Sequence, residues 1–266
     1  MSLVIESTSF AQAWLQAVKH LQLHGGVARN IILDVSDPIH FDENDRKLLT
    51  VVDGALREHS DLSVNTVAAT IFPQAMYARY GRPDFYAEFQ NRMERAKAKG
   101  TWGTYALRMM SRQSRDAKAS PINPLDQIVD KLRFASTEGN PFKSVYELGV
   151  YEASADLDSG VQPLCELPLF DAARDGRKVS NMPCLSHLTF KLHERERVDL
   201  TAIYRSHYYC ERALGNLVGL AQLLNFVCKE TKLKAGYLSC ISTHAVLDLP
   251  AWGNAAKAAA TLRDLG

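Results

Sequence analysis

The spacing of apolar positions changes from segment to segment, and each period predicts an element. Over residues 9–23, Phe10, Trp14, Leu15, Val18 and Leu21 recur at helical spacing, and His24-Gly25-Gly26 closes the helix. Asn30 to Val35 reads as a strand broken by Asp37-Pro38, and residues 43–58 read as a second helix ending in a turn near Ser60. Thr66 to Ala78 is apolar and predicts a helix kinked or started near Pro73; Phe85 to Lys99 predicts a charged amphipathic helix. Residues 111–124, with Pro121 and Pro124, predict a loop, and Leu125 to Phe134 a helix before the Gly139-Asn140-Pro141 turn.

Beyond that turn the pattern becomes strand-rich. Val145 to Tyr151 alternates like a strand, and residues 153–180 form a polar connection rich in Asp, Gly and Pro. Leu185 to Leu192, Val198 to Ser206 and Gly236 to His244 predict three strands. Between them Leu214 to Lys229, the longest apolar stretch, predicts a buried helix, and residues 251–264 a terminal one. This mixture predicts an α/β (α+β) fold packed on a large sheet, in one domain spanning residues 1–266.

Composition narrows the function classes. The chain has 266 residues, 46% hydrophobic and 23% charged, enough for a full core. A formal net charge of +1 gives no bulk electrostatic case for nucleic acid or an anionic membrane, so any anion site must be local. No apolar run approaches the roughly 18 residues of a membrane span, and the opening residues do not read as a signal peptide. The five cysteines, Cys165, Cys184, Cys210, Cys228 and Cys240, are odd in number and show no CxxC spacing. Free thiols in a cytoplasmic protein, most of them core residues, are the simplest expectation, with no metal site.

The chemistry concentrates between Met182 and Asp248. Pro183-Cys184 is followed by Arg205-Ser206, then Leu214-Gly215-Asn216, then Thr243-His244-Ala245. A thiol, an anion-binding pair, a carboxamide and an imidazole suit a site that grips a phosphorylated, hydrogen-bonding ring and attacks it with sulfur. Each residue also has a plainer reading: a core thiol for Cys184, a surface ion pair for Arg205, a helix N-cap for Asn216, a satisfied imidazole for His244. His187 and His207 stand nearby and could act as acids or bases, though a structural role suits each better.

In this order and at nearly this spacing, the four elements resemble thymidylate synthase. The resemblance is clear from 182 to 248 and extends over about 125–248, with Leu125-Asp126-Gln127-Ile128 and Trp102-Gly103-Thr104-Tyr105 also similar. Residues 1–100 match only in outline. The resemblance implies a three-layer fold around a large bent mixed sheet, a homodimer, a pyrimidine nucleoside monophosphate as substrate, and 5,10-methylenetetrahydrofolate as one-carbon donor. It implies that Cys184 attacks C6 of the ring, that Arg205 and Ser206 grip the phosphate, that Asn216 reads the uracil edge, and that His244 lies near ribose and phosphate. Lys143 stands where the family has cations that reach the partner's phosphate, and Arg29 falls loosely where a phosphate loop would be.

Departures from the family pattern are equally specific. Leu185 replaces the family's His after Pro-Cys, Val246 stands where a ribose-binding Tyr is expected, and Ser63 to Thr70 carries no acid-base glutamate. No C-terminal folate lid is recognisable. Hydroxymethyl transfer, which needs no reduction of the transferred carbon, suits the missing glutamate better than methyl transfer. The expectation is therefore a C5 methyl- or hydroxymethyltransferase acting on a pyrimidine nucleotide, uridylate favoured. The alternative is a catalytically degenerate nucleotide-binding or sensor protein on the same fold.

Overall fold

The computed structural model describes residues 2–96, 104–112, 121–137, 166–168 and 183–265. In chain order the elements are β1 (Leu3–Ser7), α1 (Phe10–Leu23), β2 (Val27–Val35), α2 (Glu43–His59), α3 (Val64–Ile71), α4 (Gln74–Tyr80), α5 (Asp84–Ala96), α6 (Tyr105–Met110) and α7 (Pro124–Thr137). They continue with β3 (Glu166–Pro168), β4 (Leu185–His193), β5 (Arg197–Tyr204), β6 (His207–Tyr208), a π turn (Tyr209–Ala213), α8 (Leu214–Thr231), β7 (Lys234–Val246), a 3-10 turn (Leu249–Trp252) and α9 (Ala255–Asp264).

The fold is mixed α/β. Its seven-stranded sheet runs β1-β2-β7-β5-β4-β3, with the short β6 also pairing with β7. Three pairs are parallel (β1–β2, β7–β5, β6–β7) and three antiparallel (β2–β7, β5–β4, β4–β3), so the sheet is mixed. β7 is its spine, contacting β2 on one side and β5 and β6 on the other. The sheet changes phase near one end: Asn30 in β2 has φ of 54°. Opposite it, burial in β7 skips from Ser242 to Ala245 and leaves His244 exposed. Such a break re-aims side chains at a strand end.

Helices α1 and α8 lie directly on the sheet, and α2 and α3 form a layer outside them. α8 is buried almost all round because it is covered on both sides, which explains its near-continuous apolar sequence. One hydrophobic cluster runs from Ile5 to Leu265. The closest approach is between α3 and α8. A Cβ on Gly215 would stand 2.6 Å from Val67 Cβ, and one on Gly219 would stand 2.7 Å from the Ala68 carbonyl oxygen. Only hydrogen at these two positions permits that separation.

Local signals explain most boundaries. Ser9 caps α1 by accepting from the Ala11 and Gln12 amides, and Asp42 and Asp45 form a capping box on α2. The apolar stretch 66–78 is two helices: α4 starts next to Pro73, as one of the two expectations had it, and α3 ends before it. Pro73 removes a donor and forces Phe72 to an extended φ of −140°, so α3 stops and α4 restarts. Burying the Phe72 ring against Phe226, centroids 4.9 Å apart, holds the corner. β4 and β5 join through Glu194 and Arg195, both at positive φ, a type I′ turn without the usual Asn-Gly signal.

Three expectations need amendment. Residues 111–124 hold a bridge between Arg112 and Ile122, and the polar connection 153–180 contains β3. The terminal helix begins at Ala255, after the 3-10 turn, not at 251. The expected strand Val145–Tyr151 lies outside the described residues.

Candidate functional site

The motif residues converge on one end of the sheet, where β4 begins and β5 and β7 end. Leu185 pairs with Tyr204 across the β4–β5 hairpin. Cys184 and Arg205 therefore face each other one step beyond, and the Arg205 amide donates to the Cys184 carbonyl at 3.0 Å. Thr243 of β7 clamps the same corner: its hydroxyl donates to the Tyr204 and Arg205 carbonyls at 3.2 and 3.1 Å. The chain then turns into β6, whose His207 pairs with Ala245, the residue after His244. The π turn leads into α8 and brings Asn216 back to His207, with Nδ2···Nε2 at 3.1 Å.

Cys184 is half-buried and unbonded to another cysteine. The Arg205 and Arg212 guanidinium charges pull its thiol pKa down, as expected for an activated sulfur. Burial outweighs them, and the thiol is pushed above its ordinary value. The cations offset only part of that desolvation. Cys210, Cys228 and Cys240 are buried core thiols, as expected; Cys165 lies outside the described residues.

Tyr105, at the start of α6, is a neighbour that sequence reasoning did not assign. Its hydroxyl oxygen accepts from the Cys184 amide at 3.1 Å and the Leu185 amide at 3.4 Å. Burial raises its pKa to about 12, so the phenol is protonated at neutral pH. The Trp102-Gly103-Thr104-Tyr105 sequence carried the signal, but nothing in spacing tied it to Cys184, 79 residues on. Arg212, on the π turn, also escaped notice; a charge on an irregular turn has no sequence periodicity to betray it.

Asn216 is 4% exposed and lies inside a polar network. It does not cap α8. Ala213 is already helical, because the π turn runs straight into α8, so the helix start has no side-chain cap and Asn216 sits in its interior. His207 is 1% exposed, stacks on Tyr204 with centroids 4.0 Å apart and planes 4° from parallel, and also meets Ser242 Oγ at 2.9 Å. Ser242 Oγ lies 3.1 Å from the Tyr209 hydroxyl. Burial lowers the His207 pKa to about 3, so it stays neutral at physiological pH. That burial and the hydrogen bonds on both ring nitrogens suit a structural role for His207. His187 is buried on β4, and burial lowers its pKa too.

Ser206, half-exposed, follows Arg205 at the mouth of the same corner. His244 is exposed on β7, directly across from Arg29 of β2, which is exposed as well. The sequence match at Arg29 was loose, yet sheet register brings it to the His244 end of the site. Lys143 lies outside the described residues. Asp248 holds the π turn in place, its carboxylate accepting from the Cys210 and Glu211 amides at 2.8 and 3.1 Å.

The arrangement can therefore do three things. It holds a thiol beside two guanidinium groups, presents a carboxamide next to that thiol's strand end, and fixes both on rigid elements. No protein-family model matches the chain. A protein of Methanosarcina mazei named "Putative thymidylate synthase" is 34% identical to it over 68 residues. That stretch covers 26% of this chain and only 31% of that protein. This supports a thymidylate synthase-like relationship for part of the chain and nothing finer.

Proposed function

We propose that this chain is a thymidylate synthase-like transferase that binds a pyrimidine nucleoside monophosphate, uridylate in preference, and adds a methyl or hydroxymethyl group at C5 through a thioether to Cys184. The observation that carries the reading is the pairing of Cys184 with Arg205 at the open end of the β4–β5 hairpin, where the guanidinium charge already acts on the thiol. Arg205 and Ser206 bind the phosphate dianion, the guanidinium through paired N–H donors and the hydroxyl through one more. Asn216 reads the ring edge, and His244 contacts ribose or phosphate.

In the first step the Cys184 sulfur adds to C6, its proton leaves to solvent, and the C5–C6 π electrons move onto C5 and the 4-carbonyl. C5 thereby becomes nucleophilic toward an electrophilic carbon. Loss of the C5 proton and expulsion of sulfur restore the double bond and the free thiolate. Tyr105, hydrogen-bonded at the Cys184 amide, lies close enough to stabilise charge in this corner. The donor that the resemblance implies, 5,10-methylenetetrahydrofolate, would supply a one-carbon unit at the formaldehyde level; a hydroxymethyl product then needs only water, whereas a methyl product needs two further electrons, which the reduced donor would have to give. The residues described around Cys184 are matched to the nucleotide and not to this donor, so no residue and no step is assigned to it. A homodimer accords with Val4 and Tyr237, 56% and 48% exposed on the sheet face turned away from α1 and α8.

Two observations favour a second reading, nucleotide binding without turnover. The Cys184 thiol is raised rather than lowered, and the α3 face toward α8 carries Val64, Val67, Ala68 and Ile71, with no carboxylate. The test of both is melting temperature with dUMP, UMP, dCMP and CMP added separately. A ligand at a hundred times its Kd raises stability by about 2.7 kcal/mol, or roughly 5–10 °C for a chain of this size. A shift lost in Arg205→Ala supports the site. Release of tritium from C5 of the bound nucleotide, abolished in Cys184→Ala, separates enzyme from sensor. No shift with any of the four nucleotides refutes both readings.

A further inference from the structure

We infer that His207 is a positioning residue that holds the Asn216 carboxamide in one orientation and so makes the site discriminate uracil from cytosine. This rests on the proposed nucleotide site. Asn216 Nδ2 can only donate, so His207 Nε2, 3.1 Å away, is an acceptor and carries no proton. The imidazole proton is then on Nδ1 and is donated to Ser242 Oγ at 2.9 Å. Ser242 is fully buried and meets the Tyr209 hydroxyl at 3.1 Å, while the Tyr209 carbonyl accepts from Trp14 Nε1 at 2.9 Å. The ring itself is clamped flat on Tyr204 and edge-on to Tyr209. Every partner of the imidazole is held by a strand, the π turn or α8.

The Asn216 carbonyl oxygen has no hydrogen bond among the described residues and is left for a ligand. Uracil offers a donor at N3 and an acceptor at position 4; cytosine offers the inverse. A freely turning carboxamide matches either by rotating half a turn. Here a rotation would set the Asn216 oxygen against the bare Nε2, two acceptors face to face. Escaping that requires the imidazole proton to move from Nδ1 to Nε2 and the Ser242 hydroxyl to rotate, in a core closed to water. A carboxamide held this way matches one of the two bases, uracil under the reading above.

The experiment has two arms. A long-range proton–nitrogen NMR spectrum of the wild-type protein reports the His207 tautomer without any ligand or variant. Protonated Nδ1 with bare Nε2 is expected; protonated Nε2 overturns the inference. Calorimetric titration of UMP, dUMP, CMP and dCMP then compares wild type with His207→Phe, which keeps the stack on Tyr204 but has no ring nitrogen. Wild type is expected to prefer uracil by at least about tenfold, because a site that reads hydrogen bonds strongly rejects the mismatched base. His207→Phe is expected to lose most of that preference, and His207→Gln, whose side-chain oxygen can accept from Asn216, to regain part of it. If His207→Phe does not fold, Ser242→Ala, which frees the tautomer, takes its place and is expected to narrow the preference. A variant that binds with an unchanged uracil-to-cytosine ratio overturns the inference and leaves the nucleotide site standing. Wild type that binds none of the four nucleotides overturns the site itself, and the inference with it.

Discussion

Lowering the pH should destabilise the protein through His207 in a range where most proteins lose little. The folded-state pKa is about 3 because the ring is wholly desolvated; the unfolded value is the ordinary 6.5. Above pH 6.5 neither state binds the proton and nothing is lost. Between 6.5 and 3 the unfolded chain takes a proton that the folded one refuses, so stability falls as pH falls, by about 1.4 kcal/mol per unit. From pH 6.5, where the unfolded imidazole is already half protonated, to pH 5.0 the loss is about 1.6 kcal/mol from this one residue, and no solvent screening reduces it because the ring is fully buried. His187, its pKa also lowered by burial, adds to the loss with the same sign. Urea unfolding followed by tryptophan fluorescence, with Trp14 and Trp252 buried as reporters, gives stability at each pH. The informative quantity is the difference between wild type and His207→Phe, which cancels His187 and the carboxylates. Wild type should lose about 1.4 kcal/mol per unit more than the variant between pH 6 and 4. Parallel slopes would refute the claim that His207 is buried and neutral, and with it the network around Asn216.

The remaining predictions concern packing, reactivity and capping. Gly219→Ala should cost about 1–3 kcal/mol in urea unfolding, since its Cβ would meet backbone of α3 that cannot rotate away; an unchanged midpoint would show that the helices are free to part. Gly54→Ala, on α2 with nothing within 4 Å of the new Cβ, should instead gain about 0.5–1 kcal/mol by the same assay, and a loss would contradict the open space assigned there. Alkylation of Cys184 by iodoacetamide, followed by peptide mass spectrometry, should be slower at pH 7.5 than that of a free thiol and slower still in Arg205→Ala. Removing that charge leaves burial less opposed, and faster alkylation in the variant would reverse the argument. Asp248→Ala should cost roughly 1–2 kcal/mol, because the Cys210 and Glu211 amides lose their acceptor; a thermal melt within experimental error of wild type would show that water replaces it.

Sequence period revealed the parts of the fold that bury one face at a time. The β5 strand alternates buried with exposed or half-buried residues from Arg197 to Tyr204, and its period-2 pattern was readable directly. α8 was legible for the opposite reason: covered on both sides, it is apolar throughout. β1 was not read because its five residues bury only Ile5, too little pattern to stand above a chain terminus. At the site, Cys184 and Arg205 were found by their motif neighbours, and their meeting follows from hairpin register. Tyr105 and the His207–Ser242–Tyr209 network were not found, since each contact joins residues from elements that only the sheet brings together. Whether Asn216 caps a helix or faces a ring depended on where α8 begins, and a π turn has no sequence signature that sets that point.

That turn, with the glycine beside Asn216, ties the packing of the fold to the chemistry of the site. Gly215 points at α3, where a Cβ would stand 2.6 Å from Val67 Cβ. The next residue, about 100° further round the helix, is Asn216, which faces His207. The contact that needs a glycine therefore fixes the rotation of α8 about its own axis, and that rotation aims the carboxamide. The π turn sets the other end of the same relation. It is braced by Asp248 from beyond β7 and by Trp14 of α1 on the Tyr209 carbonyl. Leu214-Gly215-Asn216 thus reads as one device in which Leu214 is core, Gly215 sets distance and angle, and Asn216 delivers the polar group. A side chain at 215 would push α8 away from α3 and towards the sheet, and the 3.1 Å bond to His207 has only a few tenths of an ångström to give before it ceases to be a hydrogen bond. Helix packing and base reading are, on this geometry, a single constraint on α8.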